Sequence, residues 1–165
     1  MKKLLLALML IAPMTVFAQK FGVVDYDAVG QALPEYAKAE GELKAMQTQT
    51  QNDLKSMQDE IQRKYDEYQK SASTMNATQK EAKEKELNDL SQKYQQTMEQ
   101  KSQEMQKAQQ DKIQPIQAKV MQAINNVGKA GNYVCIMMKG SMPYMSATLC
   151  TDVTEQCKAE VLKIK

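Results

Sequence analysis

Between about residue 34 and residue 115 the apolar side chains fall on one narrow stripe, and that stripe decides what the middle of the chain can fold into. In its first half the positions are Leu43, Met46, Thr50, Leu54, Met57, Ile61, Tyr65 and Tyr68, at steps of 3, 4, 4, 3, 4, 4 and 3. Such steps keep one face of an α-helix in register, and an eleven-residue repeat predicts a nearly straight helix with a slight right-handed drift. The stripe is one residue wide, whereas a helix inside a globular core carries a broader apolar face. One seam implies one partner helix.

The partner follows directly. Ser71-Ala72-Ser73-Thr74-Met75-Asn76-Ala77-Thr78 interrupts the pattern with small and capping residues, and Thr78 with Glu81 three places on reads as a capping box. The second stripe is Leu87, Leu90, Tyr94, Met98, Met105, Ala108, Lys112 and Ile116, with Lys101 as its weak point. Elsewhere both segments are dense in Gln, Lys and Glu, which are strong helix formers. The expectation is an antiparallel helical hairpin whose arms of roughly 35 residues reach about 50 Å. Pro34 suits the first turn of the first helix, because it disfavours helix at Leu33 but fits the N1 position. Pro115 removes a backbone hydrogen bond inside the second and is expected to bend or break it.

The two ends read differently. Lys2 and Lys3, the apolar run 4–12 and Val16-Phe17-Ala18 form the order of a secretory leader, with cleavage between Ala18 and Gln19. That run is too short to span a bilayer, and no later stretch approaches the roughly 20 apolar residues a span requires. No cysteine follows the cleavage site to accept a lipid. Phe21-Gly22-Val23-Val24-Asp25 reads as a strand, with Asp25 or Asp27 capping a helix behind it. Ile116, Val120, Met121, Ile124 and Val127 form a wider apolar face suited to packing on a sheet, and Gly128 and Gly131-Asn132 end that helix. The runs 133–138 and 144–150 read as an antiparallel strand pair in which Ile136 faces Leu149 and Cys135 faces Cys150. Asp152 with Glu155 then caps a final helix.

Composition excludes several classes. Of 22 Lys and Arg, two lie in the leader, so 20 remain against 20 Asp and Glu, and there is no His. A neutral chain gives no electrostatic case for nucleic acid. Without His or clustered Cys, zinc and transition metals lack their usual ligands. No nucleophile–base pair and no Gly-rich phosphate loop is present, so neither an enzyme nor a cofactor is expected. The predicted fold is mainly α with a small β body: the leader at 1–18, a hairpin arm at 34–115, and a body from both chain ends at 19–33 and 116–165.

Four segments together resemble the Skp/OmpH family of periplasmic chaperones: Gly22-Val23-Val24-Asp25; Leu33-Pro34-Glu35-Tyr36; Gln114-Pro115-Ile116 with Ala123-Ile124-Asn125-Asn126-Val127; and Tyr144 with Asp152-Val153-Thr154. None is a catalytic signature, and the resemblance covers essentially the whole mature chain. It implies a homotrimer in the periplasm whose strand-rich bodies join, with hairpins projecting around a cavity that holds unfolded outer-membrane β-barrel proteins without ATP. The neutral charge departs from the basic character usual in that family. It therefore gives no electrostatic basis for contact with lipopolysaccharide or anionic lipid.

Within that frame, Met57, Ile61, Tyr65, Tyr68, Met75, Tyr94, Met98 and Met105 are the candidates for client contact, since flexible Met side chains suit a surface that accepts many apolar sequences. Seven of them, all but Met75, also read as the hairpin's own seam. Phe21, Val23, Val24, Val134, Ile136 and Leu149 are the candidates for subunit contact. Among three cysteines, Cys135 with Cys150 is the preferred disulfide from the strand register. Cys150 with Cys157, three reduced thiols, and a Cys157 link between subunits are the alternatives. The rival reading of the whole is a coiled-coil spacer or adaptor of the cell envelope.

Overall fold

A computed structural model describes residues 19–164; the expected leader at 1–18, with its expected cleavage after Ala18, lies outside the described residues. The chain forms two compact units, one from residues 19–29 and 122–164 and the other from 30–121.

The first unit is built on a three-stranded sheet. β1 (Lys20–Val24) lies at its centre, β2 (Tyr133–Met138) and β3 (Cys150–Asp152) flank it, and both flanking strands run parallel to β1. This corrects the antiparallel pair expected from 133–138 and 144–150: the second run is not a strand, since β3 begins only at Cys150, and β3 pairs with β1 instead of β2. Gly22, Val23 and Val24 are all buried, and a strand buried along its length needs hydrogen-bonding partners at both edges. β1 therefore lies between Cys135 and Cys150, which side-chain likeness alone would pair. Phe21 lies opposite Cys135 on one side and opposite Cys150 on the other. Gly22 is required because a Cβ there would come 2.9 Å from Cγ1 of Ile136.

The far end of β1 is tied to the last helix, α4 (Thr154–Val161), by a compact network. Asp152 Oδ1 accepts hydrogen bonds from the Thr154 N–H at 2.9 Å and the Thr154 hydroxyl at 2.6 Å. Thr154 Oγ1 in turn accepts from the Asp25 N–H at 3.0 Å. Asp25 Oδ1 takes the Ala28 N–H at 3.0 Å and so caps the short α1 (Tyr26–Gln31). Two of the four family-like segments thus meet as a structural clasp. Val23, Val24, Val29, Ala123, Val153, Cys157 and Val161 form the buried core of this unit.

The second unit is the helical hairpin. α2 (Pro34–Ser71) follows an extended Leu33 and carries Pro34 at its start, as expected. α3 (Ala77–Ala130) is opened by a reciprocal cap in which the Asn76 N–H donates to Gln79 Oε1 and the Gln79 N–H to Asn76 Oδ1. The capping box is therefore two residues ahead of the Thr78–Glu81 pair. α3 also runs unbroken through Pro115 and Gly128 to Ala130. Lys112 pairs with Glu42 and Lys119 with Glu35, so α2 holds α3 on both sides of the proline. Burial of Ile116 and Val120 alongside offsets the proline's cost of about 3 kcal/mol. The helix ends where Asn132 adopts φ 51.

Candidate functional site

Along the hairpin the half-buried residues define the true seam. On α2 they include Leu43, Met46, Thr50, Leu54, Met57, Ile61, Lys64 and Tyr68; on α3 they include Lys83, Leu87, Leu90, Tyr94, Thr97, Lys101 and Ala108. Two expected seam residues are displaced: Tyr65 by Lys64, and Met98 by Thr97. From Leu54 on, the α2 steps become 3, 4, 3, 4, which is a heptad and not a continued eleven-residue repeat. The Lys64 stem can lie along the seam while its ammonium reaches Glu86. Thr97 simply continues the period of α3.

Tyr65 and Met98 consequently stand out from the seam, 46% and 48% exposed. Each directly follows a seam residue. Because the helices run in opposite directions, residues that follow the seam on either helix lie along the same flank of the pair, and residues that precede it line the other. The grooves beside the seam agree. One, of about 520 Å³, is lined by Glu40, Leu43, Lys44, Gln47, Met105 and Gln109. Apart from Leu43, these residues follow half-buried or buried positions. Another, of about 310 Å³, includes Lys38, Glu42, Pro115 and Lys119, each of which precedes one.

The two flanks differ in chemistry. On the flank that precedes the seam stand Glu60, Glu67, Asp89, Lys93 and Lys107, with Glu86 half-buried beside them; on the flank that follows it stand Gln47, Gln58, Tyr65 and Met98, with Ser91 and Met105 half-buried and Lys44, Lys55 and Glu84 as its charges. Paired charges cross the hairpin on the first. Lys64, and after it Lys83, hold the Glu86 carboxyl at about 2, and Lys112 lowers that of Glu42. On the second flank, charge is sparse and apolar surface is open. Of the eight candidate contact residues, Tyr65 and Met98 therefore keep about half of their surface exposed, with the Tyr65 hydroxyl accepting from Gln69 at 2.6 Å, and the half-buried Met105 borders the groove on their flank. Met57, Ile61, Tyr68 and Tyr94 are half-buried in the seam, and Met75 is half-buried in the link between the helices. Tyr68 also donates to Glu84 at 2.5 Å, and that carboxylate raises its phenol pKa.

In the sheet unit, Val23 and Val24 are core residues of the chain itself, which corrects their assignment to subunit contact. Phe21 and Ile136 are half-buried, while Val134 and Leu149 are 59% and 74% exposed. The expected Cys135–Cys150 bond within one chain is ruled out by the sheet order. With β1 between them, their Cα atoms are two strand spacings apart, about 10 Å, beyond the roughly 7 Å a disulfide can bridge. No two of the three cysteines are bonded to each other within the chain. Cys157 is fully buried, and burial pushes its thiol up to about 11.

Among the described residues no cluster of three His, Cys, Asp or Glu could hold a metal, and no helix is long and apolar enough to cross a membrane. Residues 20–161 match the family model for outer membrane protein (OmpH-like). The chain is similar in fold to the crystal structure of a candidate outer membrane chaperone (OmpH-like) from Caulobacter crescentus CB15. That likeness has a TM-score of 0.70 at 14% identity and covers 89% of this chain and 86% of the other. No curated protein matches.

Proposed function

The chain belongs to the OmpH-like outer membrane protein family, and from that premise we propose that it is a periplasmic, ATP-independent holdase. As a homotrimer it shields unfolded outer-membrane proteins between its hairpin arms. The observation that carries this reading is the division of the arm into a charged flank and a weakly charged flank where Tyr65 and Met98 are left exposed. A surface that binds many unfolded sequences needs apolar contacts that are individually weak. Each half-exposed side chain supplies about 1 kcal/mol, so only many contacts together retain a client, and a client that begins to fold escapes by withdrawing them one at a time. The Gln and Ser residues between them keep that flank soluble without a strong field.

Light scattering on the mature protein, with and without a β-barrel membrane protein diluted from urea, tests this. A mass of three chains and a defined soluble complex are expected. A monomer or dimer that leaves the client to precipitate would overturn the proposal in favour of an envelope spacer.

A further inference from the structure

We propose that Cys135 and Cys150 form disulfides between subunits, each joining the β2 edge of one copy to the β3 edge of the next. This inference rests on the homotrimer reading given above.

Cys135, Phe21 and Cys150 form a single row across β2, β1 and β3. Residues matched in a parallel ladder share a face, and successive residues alternate. The row therefore lies on the face opposite Gly22 and Ile136, whose side approaches Gly128 of α3. Both flanking strands are edges of the sheet, and such edges are templates for another strand; at the start of β3 the Cys150 N–H is held by the Ser146 carbonyl at 3.1 Å, a bond that an added strand would replace. Neither cysteine can reach the other inside one chain, and Cys157 is sealed in the core.

The exposed apolar residues select the register. Val134 immediately precedes Cys135 and Leu149 immediately precedes Cys150, and both are largely exposed. Val134 lies at the irregularity of the β1–β2 ladder and Leu149 in the turn just before β3; if a neighbour's β2 continues the sheet in parallel beside β3 with its Cys135 opposite Cys150, both apolar side chains stand beside the same contact. The same alignment covers two apolar side chains and brings two thiols together. Cα atoms on adjacent strands are about 4.8 Å apart, within disulfide range. Because the contact uses two different edges it is head-to-tail, and three copies related by a three-fold axis close it into a ring.

Oxidation requires a disulfide donor, for which glutathione disulfide serves. The Cys135 thiolate attacks one of its sulfurs and releases a glutathione thiolate. The Cys150 thiolate of the adjoining copy then attacks the Cys135 sulfur of the mixed disulfide and releases the second. Two protein thiols are oxidised, one donor disulfide is reduced, and the two protons leave with the released glutathione.

The test is to equilibrate the reduced mature protein with glutathione disulfide, block free thiols with iodoacetamide, and compare light scattering with a non-reducing denaturing gel. The expected result is a covalent trimer that dithiothreitol returns to monomer, lost in Cys135→Ser and in Cys150→Ser and retained in Cys157→Ser. If a serine variant fails to fold, peptide mapping of the wild-type trimer band decides: Cys135 and Cys150 should be joined and Cys157 alkylated. A trimer by light scattering whose chains all separate on the non-reducing gel would overturn the disulfide and leave the trimer standing. A monomer by both measurements would overturn both.

Discussion

Replacing Tyr65 and Met98 together by Gln should weaken client binding without weakening the hairpin. About half of each side chain is exposed. Full burial of a side chain of this size contributes about 1.5–3 kcal/mol, so the half still available to a client is worth about 1 kcal/mol at each position. Losing both removes about 2 kcal/mol for each arm that holds the client, so affinity should fall at least ~30-fold, the loss expected where a single arm engages it. Neither residue belongs to the seam, so the urea midpoint should move by no more than about 0.5 kcal/mol of stability. The assay is fluorescence anisotropy of a labelled β-barrel protein diluted from urea into a concentration series of each variant. The control on the opposite flank, Glu60→Gln with Asp89→Asn, should bind within about twofold of the wild type, because the proposed contact does not involve it. Wild-type affinity in the Tyr65/Met98 variant, combined with a loss in the Glu60/Asp89 control, would refute the assignment of the client-facing flank.

Other features give separate expectations. Thr154→Val deprives the Asp25 N–H of its acceptor and Asp152 of a donor, and should cost about 1–3 kcal/mol, read from urea unfolding of the whole chain. Ile116→Ala empties a buried position beside Pro115 and should cost about 2–5 kcal/mol, measured by the same method. The Glu86 carboxyl sits at about 2 in the folded chain against an ordinary value of 4.5, chiefly through Lys64. Its stabilising contribution is therefore present above about 4.5 and lost as pH falls towards about 2. Thermal unfolding followed across that window should show a smaller acid loss in Glu86→Gln than in the wild type.

The helical hairpin was legible in the sequence because its signal is periodic and long. The start at Pro34, the link after Ser71 and the pairing of two narrow stripes all follow from helix geometry. The sheet order was not, since a pairing inferred from side-chain likeness between two runs ignores what a third strand requires. The signal lay in Gly22-Val23-Val24, three successive residues without a polar member, which is what a strand buried on both faces carries. At Pro115 the local cost is real, but the contacts of α3 on either side of it keep the helix unbroken.

Two differences from the sequence pattern bear on function. At Tyr65 and Met98 the most apolar side chain lies one step beyond the residue that the period demands, Lys64 or Thr97. At Cys135 and Cys150 two like side chains are kept apart by the needs of β1. In each case the structure assigns the seam or the ladder to a less conspicuous residue and leaves the conspicuous one at the surface. An apolar or thiol side chain that lies one step off the structural pattern contributes little to folding of its own chain, and such a residue is available for another. That separates the hairpin's seam from its proposed client face, and the sheet's core from its proposed subunit contact, more sharply than hydrophobicity does.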